Sequence, residues 1–82
     1  MREFLNYTVT IVEMGKPTSL DLNGHLLDIC ENGVGMKTLY PLEPGHFLIF
    51  TQGIERKSGI VRWSSALDDG LMYRVGVEFL EI

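Results

Sequence analysis

The sequence predicts an all-β domain whose strands roll into a barrel. Three observations carry this expectation. Apolar and small polar residues alternate with a period of two in several short segments; glycine, proline, Asn-Gly and Asp-Gly punctuate them at close spacing; and no window sustains a helical period. The chain has 82 residues with 45% hydrophobic content, enough for one domain with one core. Five to seven short strands in so small a chain avoid bare edges by closing on one another, as a barrel or a barrel-like sandwich.

In chain order, residues 1–6 show no clear period and read as a flexible N-terminal arm, anchored on the body by Phe4. Tyr7-Thr8-Val9-Thr10-Ile11-Val12 is rich in β-branched residues and alternates, so Tyr7, Val9 and Ile11 share a face. Met14-Gly15-Lys16-Pro17 breaks it, since Pro17 lacks a backbone donor and Gly15 permits a reversal. Leu20-Asp21-Leu22 alternates again and meets Asn23-Gly24, compatible with either a two-residue hairpin or a bulge inside a longer strand running to Cys30. Asn32-Gly33 then reads as a tight reversal, because both residue types tolerate positive φ.

Val34 to Leu39 is the next strand, and the two prolines of Tyr40-Pro41-Leu42-Glu43-Pro44-Gly45 make that segment a connection. His46-Phe47-Leu48-Ile49-Phe50-Thr51 is apolar enough for burial on both faces or for a place in a closed barrel. Gln52-Gly53 turns it into a long strand, Ile54 to Ser64, with a bend allowed at Gly59 and with Ile60, Val61 and Trp63 as its bulk. Asp69-Gly70 is a strong turn signal. Beyond it, Tyr73, Val75, Val77 and Phe79 fall on one face of the last strand, with Arg74, Gly76 and Glu78 on the other. Trp63 and Tyr73 are expected in the core or at the barrel rim.

Seven basic against eleven acidic residues give a net charge of −4, which excludes general affinity for nucleic-acid polymers or anionic membrane surfaces. Any phosphate ligand has to be caught by a few placed cations. The lone Cys30 forms no internal disulfide, and the first residues resemble neither a signal peptide nor a spanning helix, so a cytoplasmic protein without membrane insertion is expected.

The stretch Asp28-Ile29-Cys30-Glu31-Asn32-Gly33 concentrates the chemistry. A strand period of two points Asp28 and Cys30 to one face at the rim of a sheet, next to a bare glycine backbone. That is a platform for a ligand. Asp28 also suits the simpler task of capping a turn through its side chain. A catalytic thiol at Cys30 would need a histidine partner and a substrate cleft, and a zinc site from Cys30, Asp28, His25 and His46 lacks any close ligand pair, so neither enzyme nor metal centre is expected.

These residues resemble a known family. Asp28-Ile29-Cys30-Glu31-Asn32-Gly33, Val34-Gly35-Met36, Pro41-Leu42-Glu43-Pro44-Gly45, Gly59-Ile60-Val61-Arg62-Trp63 and Tyr73-Arg74-Val75-Gly76-Val77-Glu78-Phe79 are similar, in order and spacing, to the PilZ domain over nearly the whole chain. The resemblance implies a single domain over residues 1–82, folded as a six-stranded antiparallel β-barrel of split-barrel type. It implies a cytoplasmic receptor for the bacterial second messenger cyclic di-GMP, without cofactor, acting through a protein partner in a signalling or motility system. An Arg-x-x-x-Arg motif in the N-terminal arm falls on Arg2 and Asn6, and an Asp/Asn-x-Ser-x-x-Gly motif falls on Asp28, Cys30 and Gly33.

Asn6 and Cys30 depart from the family pattern. An arginine can fork onto phosphate oxygens and stack on a guanine, and its replacement by asparagine removes a charge-assisted contact of about 1.5–3 kcal/mol. The resemblance therefore implies a weakened cyclic di-GMP site, or a degenerate barrel that has lost the nucleotide and serves as a protein interaction module.

Overall fold

The computed structural model describes residues 4–54 and 57–80. Among them are six strands and no helix: β1 (Phe4–Glu13), β2 (Lys16–Ile29), β3 (Gly33–Thr38), β4 (Phe47–Gln52), β5 (Ser58–Ala66) and β6 (Tyr73–Phe79). All neighbours pair antiparallel in the order β1-β2-β3-β6-β5-β4, and β4 closes back onto β1. The barrel foreseen from the alternation is thus present.

Closure comes from where the apolar residues fall. Leu5, Tyr7 and Val9 on β1, Val34 and Met36 on β3, Leu48 and Phe50 on β4, Val61 on β5, and Val75 and Val77 on β6 all point inward and are buried. Each such side chain contributes about 1.5–3 kcal/mol on leaving water, so the inward set supplies the drive to close the sheet. Leu42, from the β3–β4 connection, joins the same core. Inside it, the Tyr7 hydroxyl and Thr38 Oγ1 lie 2.7 Å apart in a buried hydrogen bond. Burial raises the Tyr7 pKa above its ordinary value, although the Thr38 bond pulls the other way.

Several local expectations change. Phe4, Leu5 and Asn6 belong to β1 rather than to a free arm, because Leu5 is wholly buried and the three residues pair with His25, Gly24 and Asn23. Asn23-Gly24 does not turn: β2 runs straight through it, and Pro17 is already inside that strand. The hairpin is Met14-Gly15 instead, with φ of 52° and 79°, the signature of a type I′ turn. β4 is buried on one face alone, with Phe47 and Ile49 outward. The long strand expected from Ile54 begins only at Ser58.

The Asn32-Gly33 reversal is real, but positive φ is not its cause. Neither residue has it. Cys30 N–H donates to the Gly33 carbonyl at 2.9 Å, and Phe79 N–H donates to the Asn32 carbonyl at 2.8 Å, which holds the loop against β6. A Cβ on Gly33 would collide with the Val77 carbonyl, so close approach of two backbones requires the glycine.

Candidate functional site

Four strands set one row of residues across the barrel exterior. Asp28 on β2 faces Gly35 on β3, Gly35 faces Gly76 on β6, and Gly76 faces Trp63 on β5. The two middle positions have no side chain. The outer two lean over them: a Cβ on Gly35 would run into the Asp28 carboxylate, and one on Gly76 would run into the Trp63 indole. A carboxylate and an aromatic ring thus face each other across a floor of bare backbone.

Two bulges produce this arrangement. On β2 the register with β3 shifts between Leu26 and Asp28, and on β5 the register with β6 shifts between Val61 and Trp63. Leu26 packs on the core and Val61 is buried, so in regular strands Asp28 and Trp63 would also point inward. One extra residue on each strand turns them outward, a common use of bulges beside functional sites. Trp63 is accordingly 46% exposed rather than part of the core.

The groove has a volume of about 390 Å³, near the lower end of the roughly 300–1,000 Å³ usual for small-molecule sites. Cys30, Asn32 and Gly33 line one end of it. Arg62 and Glu78 line it too, with Glu78 directly beside Gly33 in the sheet, and two hydrogen bonds of 3.2 Å join the guanidinium to the carboxylate. Both side chains are about half exposed, so the pair is screened and fixes orientation more than it stabilises. The groove can therefore offer acceptors at Asp28, a guanidinium at Arg62 and a ring face at Trp63.

Of the positions singled out in the sequence, Asp28, Cys30 and Gly33 come together here. Strand β2 ends at Ile29, so Cys30 reaches the groove from the loop rather than from the strand face expected for it. Asn6 is elsewhere. Its amide donates to Gln52 at 2.7 Å, and its β2 partner Asn23 precedes Asp28 by five residues, about 15 Å along a strand. Arg2 lies outside the described residues.

Gly35, Gly76 and Trp63 complete the site, and none of them is a site residue on the sequence reading. The signal available is a glycine between two inward valines, Val75-Gly76-Val77, and another between Val34 and Met36. Each marks an outward position stripped of its side chain.

Both histidines have other tasks. His25 packs on Phe4 with ring centroids 4.8 Å apart, and His46 Nδ1 accepts the Glu43 N–H at 3.1 Å. Among the described residues no three histidine, cysteine or acidic side chains converge as a metal site. Nor is any helix among them long and apolar enough to cross a membrane. No family model, curated protein or solved structure matches the chain.

Proposed function

We propose that this chain is a PilZ-type signalling domain, a binding module rather than an enzyme, whose glycine-floored groove takes a guanine of cyclic di-GMP. One observation carries the reading: Asp28 and Trp63 face each other across Gly35 and Gly76. A guanine edge presents N–H donors that a carboxylate accepts, and its flat face packs against an indole, while the two glycines give the carboxylate and the ring room to lie close on the sheet. Arg62 stands beside the groove, where a guanidinium favours a phosphate. The affinity is reduced relative to a receptor with two arm arginines, since Asn6 is bonded to Gln52 away from the groove. The domain works in the cytoplasm and passes its state to a protein partner of a bacterial signalling or motility system.

The position of Asn6 favours a second reading as well, a PilZ-like barrel that no longer binds nucleotide and only docks on protein. Titration calorimetry with cyclic di-GMP separates the two. Binding should be measurable in the wild type, quench the fluorescence of the chain's single tryptophan, and weaken by about tenfold or more in Asp28→Ala, the worth of one charge-assisted hydrogen bond. Trp63→Ala should weaken it similarly, whereas Cys30→Ser should tighten it slightly. An absence of heat at high micromolar nucleotide would leave the docking module standing.

A further inference from the structure

We infer that the far side of the barrel carries a second binding site, an open strand edge that takes an extended basic segment of a partner protein. It involves β1 and the β3–β4 connection, none of the groove residues, and it stands whether or not a nucleotide binds.

The edge exists because β1 outruns its neighbour. Pairing with β4 stops at Thr10 and Phe47, whereas pairing with β2 continues through Ile11 and Val12 to Glu13 and Lys16. The residues flanking a two-residue type I′ turn form a hydrogen-bonded pair, so Glu13 bonds toward β2 and Val12, one residue back, turns its N–H and C=O away from it. The outward side chains support this alternation. Thr8 Oγ1 reaches Asp21 at 2.8 Å and Thr10 Oγ1 lies 3.5 Å from Ser19, as suits the closer, non-hydrogen-bonded pairs.

Alongside that edge runs a groove of about 550 Å³. Four consecutive residues, 10–13, line it together, which a strand can do only edge-on because successive side chains point to opposite faces. Tyr40, Pro41 and Phe47 form its apolar wall, and Glu13 and Glu43 supply its charges, with no lysine or arginine lining it among the described residues. Val12 is 69% exposed at this edge.

Strand addition uses main-chain bonds for affinity and side-chain pockets for specificity. Here the free main-chain groups are at Val12, the apolar wall takes alternate side chains, and the two carboxylates select lysine or arginine between them. A nucleic acid would meet like charge. The occupant that fits is a peptide segment alternating apolar and basic residues.

The test uses a short fluorescein-labelled peptide alternating valine and lysine, added to the whole domain, with amide shifts followed by NMR. Binding should perturb residues 10–13 and 40–47 and weaken with added salt. It should fall by about tenfold in the double variant Glu13→Lys, Glu43→Lys, as expected when two attractive charges become repulsive. N-methylation of alternate peptide amides should abolish it while leaving the domain untouched, and Asp28→Ala should bind as the wild type does. Equal binding of a valine–glutamate peptide, indifference to N-methylation, or shifts centred on residues 16–23 of β2, which lack a β3 partner, or on Asp28 would each overturn the inference, as would no binding at about millimolar peptide.

Discussion

The outer faces of two strand pairs in this barrel are built on opposite plans. Outside β1 and β2 the side chains satisfy one another: Thr8 donates to Asp21, Thr10 lies beside Ser19, and Asn6 on β1 donates to Gln52 on β4. At the middle of the β3–β6 exterior the facing residues are Gly35 and Gly76, overhung by a carboxylate from one side and a ring from the other. The first plan closes a surface to ligands by pairing its polar groups. The second uses the room left by two glycines to seat a carboxylate and a ring, whose acceptors and outer face stay free.

The sharpest break in that comparison is Gly33→Ala, at the turn that starts the bare pair. Its new Cβ meets the Val77 carbonyl, a backbone atom that cannot swing aside, so strands β3 and β6 must part. We expect a loss of about 3 kcal/mol, as for an overpacked core, and a fall in Tm of about 10–20 °C by calorimetry. A fall of only a few degrees would mean that the two strands are less tightly held than the contact implies.

The core beneath both plans gives the next largest effect. Tyr7→Phe removes a buried hydrogen bond and should cost about 1 kcal/mol in urea titration, Thr38 Oγ1 still accepting the Tyr40 N–H. The folded protein holds the Tyr7 proton more tightly than the unfolded chain, whose value is near 10.0, with burial the chief cause. This contribution is therefore complete below that pH and is lost as pH rises through the raised folded value. Wild-type Tm should drop more steeply above pH 10 than that of Tyr7→Phe.

Gly76→Ala and Thr8→Val test the two exteriors directly. The first pushes on the Trp63 ring, a half-exposed side chain that can move, so stability should change by about 1 kcal/mol or less while tryptophan emission shifts to the red. An unmoved emission would show that the ring is not seated on the glycine. Thr8→Val deletes one cross-strand hydrogen bond and should cost about 0.5 kcal/mol. The smallest change is a gain: Met14 sits fully exposed at a φ of 52°, and Met14→Asn, better suited to that angle, should stabilise the hairpin by about a few tenths of a kcal/mol.

How much of this is readable in the sequence depends on whether the cause is local. The faces of β1 and β6 come from simple alternation, and the structure keeps them: Tyr7 and Val9 inward, Val75 and Val77 inward, Arg74 and Glu78 outward. Trp63 is expected in the core or at the rim from its size alone, and simple alternation from Val61 would turn it inward; only the bulge between them, visible in the pairing with β6, sets it outside. Gly33 stands out in the sequence for its freedom of φ, yet the atom that forbids a side chain there belongs to Val77, far along the chain on another strand. Asn6 reads as a substituted ligand position, and only its distant partner Gln52 accounts for it. Asp28 and Cys30 are the part of the site that sequence can locate, and the indole opposite them is the part it cannot.

The two register shifts also separate two jobs that a regular strand does together. Loss of a single codon at Leu27 or Arg62 would restore ordinary pleating with Asp28 still opposite Gly35 and Trp63 still opposite Gly76, both outside the barrel. What would go is the local bend and added twist that an extra residue gives its strand, and at Arg62 also the guanidinium that meets Glu78. Pairing thus decides which side of the sheet a side chain occupies, and the inserted residue decides how it is aimed there.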